Sequence, residues 1–162
     1  KFLENIKIDF WLDLKINDIP QTALSAIDSL KDLKKCKYIT VHANGGLEML
    51  KAVKKRAKKI NKNIKIFIQV NIGREDQKSG IEIENLENFY QFCNNLNLQV
   101  IGLMCIPPAN EDPSIYFSEM QSLAKKLSFD HLSMGMSKDF EIAIENGSTF
   151  VRVGSAIFGQ RS

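Results

Sequence analysis

Short apolar runs alternate along this chain with longer stretches in which apolar residues recur every three or four positions. Ile6 to Leu14 alternates apolar and polar positions and then turns solidly apolar, the pattern of a strand entering a covered sheet. Pro20 opens a helix whose Ala23, Leu24, Ala26, Ile27, Leu30 and Leu33 fall at helical spacing, with the proline in the first turn, where its missing N–H is no loss. The two-part unit then recurs. Strands are predicted at Lys37–His42, Lys65–Ile72, Gln99–Ile106, His131–Met134 and Phe150–Val153, and helices at Gly45–Ile60, Ile83–Leu96, Pro113–Leu127 and Lys138–Asn146. Strict alternation of strand and helix requires parallel pairing through right-handed crossovers, giving six βα units. Polar residues gather where the strands end: Asp13, Lys15 and Asp18, then His42 and Asn44, then Asn71, Glu75 and Lys78, then Ser137, then Arg152. A doubly wound sheet would gather them at one switch point. Their spread predicts an α/β fold, a partial TIM (β/α) barrel with six of the eight units of a closed ring.

Composition narrows the class. With 162 residues, 44% hydrophobic and 25% charged, the chain has the make-up of an ordinary folded domain, and no apolar run approaches the ~20 residues of a membrane-spanning helix. The net charge of +3 is small. Its lysines concentrate in Lys51–Lys59, with a second pair at Lys125 and Lys126; on an amphipathic helix such a run reads as a solvated face, so neither nucleic acid nor membrane is expected as a partner. Cys36, Cys93 and Cys105 show no metal or disulfide spacing and read as reduced thiols of a cytoplasmic protein, with no metal site. No signal peptide is visible, and a start at Lys1 close to a structured segment suggests a fragment.

Two turns near the C-terminus carry the clearest chemistry. Leu132-Ser133-Met134-Gly135-Met136-Ser137-Lys138-Asp139 and Val151-Arg152-Val153-Gly154-Ser155-Ala156-Ile157-Phe158-Gly159 each run from a short strand into small residues and a helix start. Such turns present free amides and a positive dipole end to an anion, and two in succession suggest one phosphate held between them. Ile68-Gln69-Val70-Asn71-Ile72 with Glu75 and Lys78-Ser79-Gly80, Gly102-Leu103-Met104-Cys105-Ile106-Pro107, and these two turns stand in one order and spacing. In them residues 63–162 resemble the YggS/PROSC-type pyridoxal phosphate homeostasis proteins, relatives of the alanine racemase barrel domain. The resemblance implies that pyridoxal 5'-phosphate (PLP) is the cofactor, its phosphate on Met136 and Ser137 and on Gly154 and Ser155, with Arg152 directed at the pyridine nitrogen. A guanidinium cannot accept that nitrogen's proton, so the ring would stay neutral and a weak electron sink, suited to carrying the cofactor more than to turnover. The other reading of Arg152 is a charge paired with a carboxylate across the barrel mouth. The family's Schiff-base lysine lies on a first strand that has no counterpart here.

Residues 8–60 carry a second likeness. Leu12-Asp13-Leu14-Lys15-Ile16-Asn17-Asp18-Ile19-Pro20-Gln21-Thr22 and Thr40-Val41-His42-Ala43-Asn44-Gly45-Gly46, followed by Met49, resemble the strand-three and strand-four signatures of orotidine 5'-phosphate decarboxylase, an enzyme of pyrimidine (UMP) biosynthesis. A strand places Asp13 and Lys15 on one face. The resemblance implies that Asp13 crowds a leaving carboxylate, that Lys15 protonates the carbanion, and that Asp18 and Thr22 reach a neighbouring subunit's site. A surface salt-bridge cluster is the alternative.

The two likenesses meet within residues 56–66 and align the six units with strands 3–8 of either barrel. Residues 1–162 then form a single incomplete barrel domain, a decarboxylase-like segment 1–62 joined to a homeostasis-protein-like segment 63–162, as a recombined, engineered or misassembled reading frame would produce. A small phosphorylated ligand is the expected partner, and an open barrel seam would favour self-association. PLP binding without turnover is the first functional expectation; a decarboxylase-like lyase using Asp13, Lys15, Asp18 and Thr22 is the second. Lys78 and Glu75 pair either near the phosphate or as a plain loop ion pair, and Pro107–Pro113 is either a wall of the site or a stiff turn. His42 reads as satisfied by backbone, and His131 is given no role.

Overall fold

The computed structural model describes residues 7, 10–41, 46–60 and 65–159. The chain falls into two compact units, residues 1–65 and 66–162. In the first, strand β1 (Phe10–Ile16), helix α1 (Pro20–Asp28), strand β2 (Cys36–Val41) and helix α2 (Gly46–Lys59) follow in order, and β1 pairs in parallel with β2. The second continues with β3 (Lys65–Gln69), a single 3-10 turn (Ile83–Asn85), α3 (Leu86–Asn95), β4 (Gln99–Met104), α4 (Pro113–Lys126), β5 (His131–Met136), α5 (Phe140–Glu145), β6 (Phe150–Arg152) and the short α6 (Ser155–Phe158). Its strands lie in the order β3-β4-β5-β6, with β4, β5 and β6 parallel.

In the first unit, Met49, Val53 and Ala57 recur every fourth residue of α2, so one stripe of the helix is apolar, and that stripe packs on Ala23, Ile27, Leu30 and Ile16. The helices are also joined by charge: both nitrogens of the Arg56 fork, Nε and Nη2, donate to the two carboxylate oxygens of Asp28. That bond holds the Asp28 carboxyl below its ordinary value. A depressed folded-state pKa adds stability above the unfolded value and loses it as pH falls through the folded one. Asp28→Asn should therefore lower the urea midpoint near pH 7, and the gap from the parent should close as pH falls below the ordinary aspartate value of about 4.

The second unit is built around the helix-facing side of its sheet. Leu103 and Cys105 on and just past β4, and Leu132 and Met134 on β5, alternate onto that face and pack against Leu86, Phe117, Met120 and Ala143 of α3, α4 and α5. α4 starts where it does because Asp112 caps it, its Oδ1 accepting the Ser114 amide at 3.0 Å, with Pro113 in the first turn. Between β5 and β6, Ser148 donates to the Met134 carbonyl (2.7 Å), and the Thr149 Oγ1 accepts the Leu132 amide (3.0 Å).

The opposite face carries Phe67, Ser133, Phe150 and Arg152. Phe67 and Phe150 belong to strands at opposite edges of the sheet, about 14 Å apart if it were flat, yet their rings meet edge to face at 5.2 Å. The sheet is therefore curled, with this face concave. Gly102 permits the tight seam between β4 and β5: a Cβ there would lie 1.9 Å from the His131 carbonyl oxygen. His131 itself stacks edge to face on Phe150 at 5.5 Å.

Several expected boundaries move. β1 runs through Phe10–Ile16, so Asp13 and Lys15 sit within it. β3 ends at Gln69, short of Ile72, because Ile81 folds back alongside: Ile81 donates to the Gln69 carbonyl (2.8 Å) and accepts the Asn71 amide (2.9 Å). β5 continues past Met134 to Met136, through Gly135 with its φ of +93°. α5 begins at Phe140, two residues later than Lys138, and β6 ends at Arg152. His42, Asn44 and Gly45 lie outside the described residues.

Candidate functional site

One side chain ties together β5, β6 and the residue that follows β4. Arg152 closes β6, and its half-buried guanidinium donates from Nη1 to the Ser133 carbonyl (3.2 Å) and hydroxyl (3.0 Å) and from Nη2 to the Cys105 carbonyl (2.9 Å). Ser133 and Arg152 meet because both lie on the concave face, Ser133 beside Phe150 in the ladder. Ser133 is fully buried, and its hydroxyl is matched by the guanidinium. These three acceptors of Arg152 are neutral oxygens. Burial pushes the neighbouring Cys105 thiol up to about 12, against the pull of the Arg152 charge, so it stays protonated.

The two C-terminal turns converge just beyond this clasp. After β5 the chain folds back on itself: Asp139 Oδ1 accepts the Met136 amide at 2.6 Å, and the Asp139 amide donates to the Met136 carbonyl at 3.1 Å. Ser137, held by that turn, sends its Oγ to the start of α6, where it accepts the amides of Gly154 (3.1 Å) and Ala156 (3.2 Å). Two N–H groups from one turn therefore meet on a single oxygen supplied by the other, which is the donor arrangement an anion requires. Of the expected phosphate residues, Ser137 and Gly154 take part directly and Ser155 stands between the two donors. The Met136 amide is occupied by Asp139.

A brace joins the next two loops of the unit. Asn71 donates from Nδ2 to the Glu75 carbonyl (3.0 Å) and accepts the Glu75 amide on Oδ1 (3.2 Å). Lys78 pairs with Glu75 at 2.5 Å and donates to the Pro107 carbonyl at 3.0 Å. Gly73 lies so close to Pro108 that a Cβ would fall 2.6 Å from the proline ring. The Lys78–Glu75 pair and the Pro107–Pro108 stretch are thus parts of one packed loop assembly.

In the first unit, Asp13 and Lys15 lie two apart on β1, their side chains outside the described set. Asp18 and Thr22 are exposed at the entry of α1, where Asp18 Oδ1 accepts the Ile19 amide at 2.7 Å. Among the described residues no group of three His, Cys, Asp or Glu could hold a metal ion, and no helix is long and apolar enough to cross a membrane.

Sequence reasoning missed two contributors. Ser133 was the one polar residue inside an apolar run, and its position two before Gly135 put it on the concave face. Asp139, three residues past Met136, is a common turn-closing spacing.

Comparison with known proteins gives the family and the fold. The family model described as alanine racemase, N-terminal domain, matches residues 14–162, across the stretch where the two likenesses meet. The pyridoxal phosphate homeostasis protein of Aquifex aeolicus is 40% identical over 135 residues, covering 77% of this chain and 59% of its own length. The chain therefore spans little more than half of that relative. Among solved structures, PipY of Synechococcus elongatus without PLP superposes with a TM-score of 0.71 at 23% identity, over 93% of this chain and 71% of PipY. Orotidine 5'-monophosphate decarboxylase of Sulfolobus solfataricus does so at 0.64 and 12% identity, over 94% of this chain and 66% of its own. At such identities both likenesses speak for the fold alone. The match over residues 14–162 places the chain by descent: it belongs to the alanine racemase N-terminal domain family.

Proposed function

We propose that this chain binds pyridoxal 5'-phosphate as a homeostasis-type carrier, with the phosphate on Ser137, Gly154, Ser155 and Ala156 and the ring toward Arg152. The observation that carries the reading is the Ser137 oxygen gripped by two amides of the facing turn, at the place where a phosphate oxygen would be received. The Aquifex relative is named for PLP homeostasis, and PipY has been solved with PLP bound. The concave arc of β3 to β6 is in keeping with a six-unit partial barrel, and three buried cysteines with a reducing, cytoplasmic setting.

When bound, PLP supplies an electrophilic aldehyde and an electron-withdrawing ring. The chain's own residues set what that ring can do. The Ser137 hydroxyl, freed from its two amides, turns from acceptor to donor toward the phosphate, while the amides of Gly154 and Ala156 take phosphate oxygens in its stead. Arg152, protonated at any working pH, offers the ring nitrogen a donor and never an acceptor, which keeps that nitrogen unprotonated. Its bonds to Ser133 and Cys105 fix the guanidinium against rotation.

Calorimetric titration with PLP tests the reading. Binding should be weakened by inorganic phosphate and should fall about tenfold in Ser137→Ala, the worth of one charge-assisted hydrogen bond. Ser122→Ala, on the exposed side of α4, should leave it unchanged. Equal affinity in Ser137→Ala and the parent, or indifference to phosphate, would overturn the assignment.

A further inference from the structure

The 22 basic and 19 acidic residues are unevenly divided. Residues 1–65 carry 15 Lys and Arg against 7 Asp and Glu, whereas residues 66–162 carry 7 against 12. Within the first unit the excess collects at one end. α1 stops at Asp28, residues 29–35 lead on to β2, and α2 finishes at Lys59, so the tails of both helices lie at the end where strands begin. Lys31 and Lys34 on that connection, Lys37 at the start of β2, and Lys55, Lys58 and Lys59 on the last turns of α2 are all exposed.

Asp28 shows that Lys31, past the end of α1, and Lys59, at the end of α2, share one surface. Its carboxylate is bonded by Arg56 and lies close enough to Lys31 and Lys59 for both charges to act on it. It is thereby already used. Glu48 is likewise taken, by Lys51 at 2.9 Å, nearer the start of α2. Lys55 stands three and four residues from Lys58 and Lys59, spacings at which like charges on a helix repel. Asp32, also exposed on that connection, offsets one of these charges, and the surface is left with a net positive charge that a polyanion would match.

We infer that this end of the first unit binds the phosphodiester backbone of nucleic acid, through phosphates and without reading bases. An anionic lipid surface fits less well. Interfacial helices insert an apolar face, and that of α2, Met49, Val53 and Ala57, is committed to the core. Among the described residues of this unit, the exposed large apolar ones, Leu14, Ile19 and Leu47, lie at the opposite end, where strands finish and helices start. Judged from the α2 run alone, the lysines read as a solvated face; the connection after α1 doubles the patch.

The test uses the full chain and the fluorescence anisotropy of labelled duplex DNA, with duplex RNA and single-stranded DNA as parallel arms. Engagement of about four phosphates gives a plot of log affinity against log salt with a slope near −3.6, read between about 50 and 200 mM. Lys55→Gln/Lys58→Gln/Lys59→Gln should flatten that slope by about 2 to 3 and weaken binding at least about tenfold at the low-salt end, with the circular dichroism spectrum unchanged. Lys125→Gln/Lys126→Gln on α4 should change neither. No binding at low salt, binding indifferent to the triple substitution, or stronger retention on phosphatidylglycerol vesicles than on any of the three nucleic acids would overturn the inference.

Discussion

Gly102→Ala should destabilise the second unit by about 3 kcal/mol or more, at the upper end of what forced overpacking costs, and lower its melting temperature by about 12 to 24 °C. The added carbon would stand 1.9 Å from the His131 carbonyl oxygen and 2.7 Å from the carbonyl carbon. Both are backbone atoms of the neighbouring strand, so no side chain can swing aside. Relief requires β4 and β5 to part, and they are held in register by the pairing of Gly102, Leu103 and Met104 with His131, Leu132 and Ser133. Circular dichroism melts of the parent and the variant check this. A loss below about 1 kcal/mol would mean that the seam yields where the geometry says it cannot.

Arg152→Ala should have the next largest effect, on stability and ligand together. The substitution removes donors from the Ser133 carbonyl, the Ser133 hydroxyl and the Cys105 carbonyl, in a place closed to water at Ser133 and Cys105. Stranding such groups costs about 1 to 3 kcal/mol each, so a total of about 2 to 4 kcal/mol is expected after local relaxation. Because the clasp also positions β6, and with it the amides of Gly154 and Ala156, PLP affinity should fall by more than the tenfold expected of Ser137→Ala. Arg152→Lys should recover little of either loss, since a single ammonium cannot reach acceptors on two strands as a fork does. Urea denaturation and calorimetry on the same preparations separate the two readouts.

Much of this was legible in the residue pattern, and the limits have physical causes. Alternating apolar runs gave the order of strands and helices, because burial on one face imposes a period that survives in the sequence. Where a strand stops depends instead on partners. Gly135 looked like a break after Met134, yet β5 carries through it because its positive φ lets the chain pass tightly over Ala143. Ile72 looked like strand, but Ile81 competes for the edge. For the site, Arg152, Ser137 and Gly154 stood out as residue types suited to an anion. Their local roles did not: the sequence cannot display that Arg152 would lean on Ser133, nineteen residues earlier, or that Asp139 would take the Met136 amide. The basic surface escaped for a similar reason, since its two halves become neighbours only when α1 packs on α2.

The curl of the second sheet also bears on how the chain is made. The contact that records it joins Phe67 to Phe150, roughly 80 positions apart, whereas β5 and β6 are stitched by bonds spanning fewer than about 20. Short closures lose less chain entropy and form first. At a ribosomal pace, β3 leaves the exit tunnel about 4 to 16 s before the ring it will meet. Through that interval the Phe67 ring waits without the Phe150 ring, so the curl of the sheet is completed only once β6 has been made.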